Sequence, residues 1–213
     1  MSLPILYSFK RCPYAMRVRM ALRLANIQCE IREIRLNNKP DSMLDVSPKG
    51  TVPVLILDET VIEESVDIID WVIKKRNIFV GNITESQISL TNKIIDIFDD
   101  KFKHHLDRYK YSSRYENEDP LFHRNECKKI LLEVNGLISD KDYFFSNEFN
   151  KIDISILPFL RQFRIADAKW FDEDMNIPRI HKYLHKFLQS KLLEDVMVNI
   201  KEWKEGSDIK IFP

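Results

Sequence analysis

Glycine is scarce. Four glycines in 213 residues are too few to assemble a phosphate-cradling loop of the Walker or dinucleotide type, which removes the best-marked routes to nucleotide binding. Cysteine is scarce too. Cys12, Cys29 and Cys127 stand at wide, unequal spacings that form no metal quartet, and an odd number argues against a secreted disulfide framework. A reducing cytoplasm is the expected setting. Charge of one sign is missing as well, because 33 Lys and Arg are cancelled by 33 Asp and Glu. A nucleic-acid partner needs a basic excess to displace counterions from phosphate, so none is expected. No apolar run reaches the roughly 18 residues of a membrane span. The first nine residues lack the basic, apolar and small-residue regions of a secretory signal, so neither a membrane association nor a leader is expected.

What is present changes character near residue 80. Over residues 5–9 apolar and aromatic residues run unbroken, as in a buried strand. Pro13 then suits the first turn of a helix, where a missing N–H costs nothing. Beyond it Val18, Ala21, Leu22 and Ala25 recur at helical spacing, with Arg17, Arg19 and Arg23 expected elsewhere on the wheel. Residues 29–34 alternate as a second strand, 37–46 supply a short helix, and 54–57 pair with 61–62 across a tight turn at Asp58-Glu59-Thr60. A helix over 64–75 closes the order β-α-β-α-β-β-α, with Val66, Ile69, Val72 and Ile73 on one face. Longer helical patterns follow over 85–109, 121–137, 153–164, 178–189 and 192–203. The expectation is an α/β plus all-α chain: one domain over 1–76, a linker over 77–84 and an all-helical domain over 85–213.

Chemistry concentrates in Cys12-Pro13-Tyr14-Ala15, which sets a thiol between a strand end and a helix start. Unpaired N–H groups and the positive end of the helix dipole favour the thiolate there, below the ~8.5 of a free cysteine. Thiolate is the nucleophile in thiol exchange. Ala15 stands where a dithiol motif has its second cysteine, so a thiol from solution must resolve any disulfide formed at Cys12. The alternative for Cys12 is a buried thiol that only packs, the role expected of Cys29 and Cys127. Pro53 either opens a strand in the ordinary way or sits in a cis bond facing the thiol, leaving the N–H and C=O of Val52 to an extended ligand. Glu64-Ser65 either caps the next helix or offers its N-terminus and hydroxyl to a carboxylate, with Glu64 answering an ammonium.

Elsewhere the residues read as structural. Asn150-Lys151-Ile152-Asp153 before Ile154, Ile156 and Leu157 reads as a capping box, which makes Asp153 a folding residue. His181 and His185 lie one turn apart without the glutamate or third ligand of a metal motif, and no metal is expected. His104 and His105 are adjacent and cannot share a helix face.

Taken in order, Arg11-Cys12-Pro13-Tyr14-Ala15 with Arg17-Val18-Arg19, Asn38-Lys39-Pro40, the segment Ser47-Pro48-Lys49-Gly50-Thr51-Val52-Pro53-Val54-Leu55 and Val61-Ile62-Glu63-Glu64-Ser65 resemble the cytosolic glutathione transferases. The resemblance is closest to the omega class and glutaredoxin-like bacterial members, and it covers nearly all of residues 1–75. It implies a thioredoxin-like N-terminal domain, a C-terminal helical bundle and glutathione as co-substrate, with no metal. Cys12 would form a mixed disulfide with glutathione and Tyr14 would line the thiol pocket. Lys39 would pair with the glycyl carboxylate, Val52 would make backbone contacts beside a cis Pro53, and Glu64 with Ser65 would hold the γ-glutamyl group. Tyr109, Tyr111 and Tyr115 fall near the family's second-substrate pocket. The implied activity is a thiol transferase or dehydroascorbate reductase type of reaction on mixed disulfides or similar oxidised substrates. The alternative is a non-enzymatic member that keeps the architecture for interaction or regulation. The second substrate, a small molecule or a protein thiol, is not legible, and the family's usual homodimer has monomeric exceptions.

Overall fold

A computed structural model of the chain describes residues 2–58, 60–79 and 83–213. The apolar run at the N-terminus forms β1 (Ile5–Ser8) at the centre of a five-stranded sheet of order β4-β3-β1-β2-β5. Leu6 and Tyr7 are wholly buried. β2 (Cys29–Glu33) runs parallel to β1, which requires a crossover, and α1 (Pro13–Leu24) supplies it. β3 (Val54–Ile56) lies antiparallel to β1 and carries β4 (Val61–Ile62) in a hairpin closed by Leu57 N–H donating to Thr60 O at 2.8 Å. Of the expected turn, Glu59 lies outside the described residues. α2 is shorter than expected (Asp41–Val46), starting after Pro40 at its N-cap. α3 (Ser65–Arg76) packs on α1. The expected β-α-β-α-β-β-α order is present.

Two sequence expectations need correction. Arg17 and Arg19, placed off the apolar face of α1, are 2% and 1% exposed. Burial of such side chains requires partners, and both have them, as described below. Nor does the chain from 85 to 213 stay helical. α10 (Lys191–Val196) ends at Val196, not at 203, and packs on α1 with Asp195 Oδ2 2.9 Å from Arg23 Nε. Trp203 N–H donates to Glu33 O at 2.7 Å, and β5 (Ile211–Phe212) adds an antiparallel edge to β2 with Phe212 opposite Cys29. The compact units are therefore 1–80 with 190–213, and 81–189. Residues 80–82 of the expected linker lie outside the described residues. Phe212 is 4% exposed, so Phe212→Ala is expected to cost the first unit about 3 kcal/mol. Urea titration reads this as a lower midpoint at unchanged slope; an unchanged midpoint would deny β5 a part in the unit.

The second unit is helical. The helix expected over 85–109 is α4 (Glu85–Ile97), a π-helical turn (Phe98–Phe102) and α5 (Lys103–Lys110). Phe98 and Phe102 stack at 4.5 Å and are fully buried there. α6 (Pro120–Leu137) starts on Asp119, whose Oδ1 accepts from Leu121 N–H at 2.9 Å, with Pro120 in the first turn. α7 (Lys151–Ala166) is apolar nearly all round and buried over most of its length, the pattern of a core helix. α8 (Ala168–Glu173), not expected from sequence, is a six-residue helix capped by Asp167, and α9 (Pro178–Leu188) follows. Among the described residues no helix is long and apolar enough to cross a membrane.

Candidate active site around Cys12

Cys12 occupies the N-cap of α1 with extended backbone (φ −75°, ψ 123°), and Pro13 takes the first helical position. Its carbonyl accepts from Met16 N–H at 2.9 Å while its own N–H donates to Phe9 O at 3.0 Å. The thiol is half-buried and lies 3.6 Å from the carbonyl oxygen of Val52. The other two cysteines are buried: burial, aided by Glu30, pushes the Cys29 thiol up to about 12, and burial with Glu126 raises that of Cys127. Of the three thiols, Cys12 is the one that reaches solvent. Ala15, one turn on, is fully buried in an apolar cluster with Tyr7, Met43, Val52 and Val54, against which Cys12 also packs.

Arg19 lies within electrostatic reach of Cys12. Burial lowers its affinity for a proton, while the charges of Glu33 and Cys12 oppose that effect. Its NH1 donates to Ser8 Oγ at 3.1 Å and its NH2 to Lys10 O at 2.8 Å. Glu33 Oε2 stands 3.6 Å from NH1, an ionic contact too long for a hydrogen bond, and Glu33 Oε1 accepts from Lys10 N–H. Burial raises the Glu33 carboxyl, against the pull of Lys10 and Arg19. A guanidinium held this way supports negative charge at the helix start. Sequence reasoning missed it, since a helical wheel sets charged side chains off the apolar face and places Arg19 there with Arg17.

The loop that brings Val52 to the thiol is fixed by its own sequence. Gly50 N–H donates to Ser47 O at 2.9 Å with Gly50 at φ +63°, where a side chain is strained. A Cβ at that position would stand 3.2 Å from Leu44 Cδ2 and 3.4 Å from Lys39 Nζ, so the Lys39 ammonium rests beside this turn. Val52–Pro53 is cis. Ser47 Oγ donates to Glu63 Oε1 at 2.5 Å and Lys49 pairs with Glu64, tying the loop to the entrance of α3.

At that entrance Glu64 is the N-cap residue, its side chain 63% exposed, while Ser65 is 3% exposed. Arg17 Nε and NH2 donate to Ser65 Oγ at 3.0 and 2.7 Å. Two donations fill the oxygen's acceptor role, so what the hydroxyl offers a ligand is its hydrogen. The same guanidinium lies 5.1 Å from the Tyr14 ring centroid. Cys12 thus stands against Val52, Lys39 against Gly50, Glu64 against Lys49, and Tyr14 with Ser65 against Arg17.

In the second unit, His181 Nε2 is 2.8 Å from Phe171 O and His185 Nε2 is 3.5 Å from Asp172 Oδ1, so the two face different partners. Tyr109 packs on Phe163, whereas Tyr111 and Tyr115 carry arginine guanidinium groups on their rings.

Residues 6–79 match the family model of the glutathione S-transferase N-terminal domain. The chain is 27% identical over 191 residues to glutathione S-transferase U19 of Arabidopsis thaliana, covering 87% of this chain and 85% of that one. It is 26% identical over 164 residues to glutathione S-transferase omega-1 of Rattus norvegicus, covering 73% and 65%. A crystal structure of a glutathione transferase family member from Pseudomonas fluorescens pf-5, with two glutathione bound, superposes with a TM-score of 0.78 at 18% identity over 92% of each chain. Residues 6–79 are thus a glutathione S-transferase N-terminal domain by sequence, and the chain as a whole is similar to glutathione transferases over most of its length, with their fold of a thioredoxin-like sheet unit and a helical unit.

Proposed function

We propose that this glutathione-dependent transferase works as an omega-like thiol transferase through a mixed disulfide at Cys12. The observation that carries the reading is the half-buried Cys12 thiol at the start of α1, facing the Val52 carbonyl, with alanine where a second cysteine would resolve it. Cys12 thiolate attacks the glutathionyl sulfur of an oxidised substrate, forming Cys12–S–S–glutathione and expelling the substrate thiolate, which takes a proton. A second glutathione thiolate attacks the glutathionyl sulfur of that adduct, releasing glutathione disulfide and restoring Cys12.

The glutathione backbone pairs with the main chain of Val52 beside Pro53, while Lys39 meets the glycyl carboxylate and Tyr14 lines the thiol pocket. Ser65 donates its hydroxyl hydrogen to the γ-glutamyl carboxylate at the N-terminus of α3. Glu64 exchanges Lys49 for the γ-glutamyl ammonium, an accessible exchange because both side chains are largely solvated. The supply of reduced thiol this cycle needs fits a cytoplasmic setting.

The test is chemical. Incubation with glutathione disulfide is expected to leave one glutathionyl group on Cys12 by mass spectrometry, and immobilised glutathione is expected to retain the chain. Alkylation of Cys12 against pH is expected to show a midpoint below the ~8.5 of a free thiol. Neither adduct nor retention would favour the interaction or regulatory reading instead.

A further inference from the structure

We propose that His104, His105 and His123 in the helical unit form a binding site for a divalent late first-row metal ion such as zinc. α5 carries the adjacent pair and α6, packed against it, carries the third, so two side chains that leave α5 in different directions both reach His123. One ring nitrogen from each residue lies within 4.8 Å of the other two. Zinc–nitrogen bonds of about 2.0–2.1 Å hold tetrahedral ligands roughly 3.4 Å apart, so side-chain rotations of about an ångström close the site. Imidazole suits zinc, copper and nickel, and three protein ligands leave a fourth position to water.

A second feature points the same way. His123 is 6% exposed, and its Nε2 is 2.7 Å from Glu118 Oε2. The carboxylate only accepts, so Nε2 carries a hydrogen, and in the neutral ring Nδ1 presents a lone pair. A carboxylate behind a histidine is the arrangement that orients metal-bound imidazoles. The Nδ1 lone pair points at His105, Nδ1 to Nδ1, at 2.8 Å. One proton holds that contact together; when a metal ion takes its place, the proton shifts to the far nitrogen of its own ring, so that each ligand remains a neutral imidazole. Glu126 adds negative charge nearby. Arg108 is the competitor, donating to His104 Nδ1 at 3.1 Å. It can yield that bond and keep Glu118 Oε2 at 2.8 Å and the His104 carbonyl at 3.3 Å.

The experiment titrates zinc into the full chain by calorimetry in a Cys12→Ser background, which removes the half-exposed thiol as a rival ligand. One equivalent is expected to bind. His104→Ala and His105→Ala, the two more exposed positions, are each expected to weaken it by at least about tenfold, and Glu118→Gln by about 10–100-fold. Cobalt(II) in place of zinc gives an optical readout of the ligands, and its visible spectrum is expected to change in His104→Ala while circular dichroism does not. No zinc bound at stoichiometric concentration, or equal affinity in the parent and both histidine variants, overturns the proposal.

Discussion

Replacing Cys12 by alanine is expected to lower thiol-transfer kcat/KM by on the order of a thousandfold or more, while glutathione binds within severalfold of the parent. The two readouts separate because the geometry separates them. The sulfur proposed to make and break disulfide bonds sits at the start of α1, with Cys29 and Cys127 buried. The groups proposed to hold the peptide are Lys39, Val52, Glu64 and Ser65; Val52 faces the Cys12 thiol, and each has a further anchor elsewhere. Ser65 is set by Arg17, Glu64 stands with Lys49, and the turn at Gly50 sets the loop before Val52. Alanine also has no polar atom to stand in for the thiol, so rescue by an alternative hydrogen bond is closed off. Parent-like transfer rates in Cys12→Ala would sink the mechanism. Parent-like rates with no adduct on Cys12 would show that glutathione is activated directly by the protein. A loss of glutathione affinity as large as the loss of rate would mean that the cysteine positions the peptide instead of reacting.

How much of this was legible in the sequence follows the distance over which each feature is built. Cys12-Pro13 was readable because a helix start is local: the thiol, the proline and the apolar spacing of α1 lie within one short segment. The same holds for the capping box of Asn150 and Asp153 and for the hairpin of β3 and β4. Arg17 and Arg19 were not readable, because a helical wheel assigns charge to the outside and cannot know that Ser65 and Ser8 wait on other elements to receive them. β5 escaped because two residues are too few for a period of two to show, and its partner Cys29 lies at the other end of the chain. The histidine cluster escaped for the same reason: His104 and His105 alone are adjacent residues on one helix, and only the packing of α6 on α5 adds His123. In the candidate site, the motif residues were visible one by one. The buried guanidinium groups that support the thiol and orient the serine came from tertiary structure.

Asp153→Ala is expected to destabilise the helical unit by about 3–5 kcal/mol, the largest stability effect among these predictions. Asp153 is wholly buried at the start of α7, where Oδ1 accepts from Phe144 N–H at 2.9 Å and from Tyr183 O–H at 2.7 Å, and Oδ2 accepts from Asn150 N–H at 2.8 Å. Alanine leaves three buried donors without an acceptor, and water has no ready access to them. The pH dependence carries a sign that tests this account separately. Burial raises the carboxyl from 3.8 to about 6, even though the bonds from Phe144, Tyr183 and Asn150 pull the other way. A group whose folded-state value lies above its unfolded one contributes stability that is full below the unfolded value and is lost as pH rises through the folded one. For Asp153 that window runs from about 4 to about 6. The gap in unfolding free energy between parent and Asp153→Ala is therefore expected to be larger at pH 5 than at pH 7, by about 1 kcal/mol, read from urea titrations on the second unit's transition. A gap that stays constant or grows toward pH 7 would return the Asp153 carboxyl to the ordinary range. The three hydrogen bonds would then outweigh burial, and the helix start would be held by a carboxylate stabilised in its charged form.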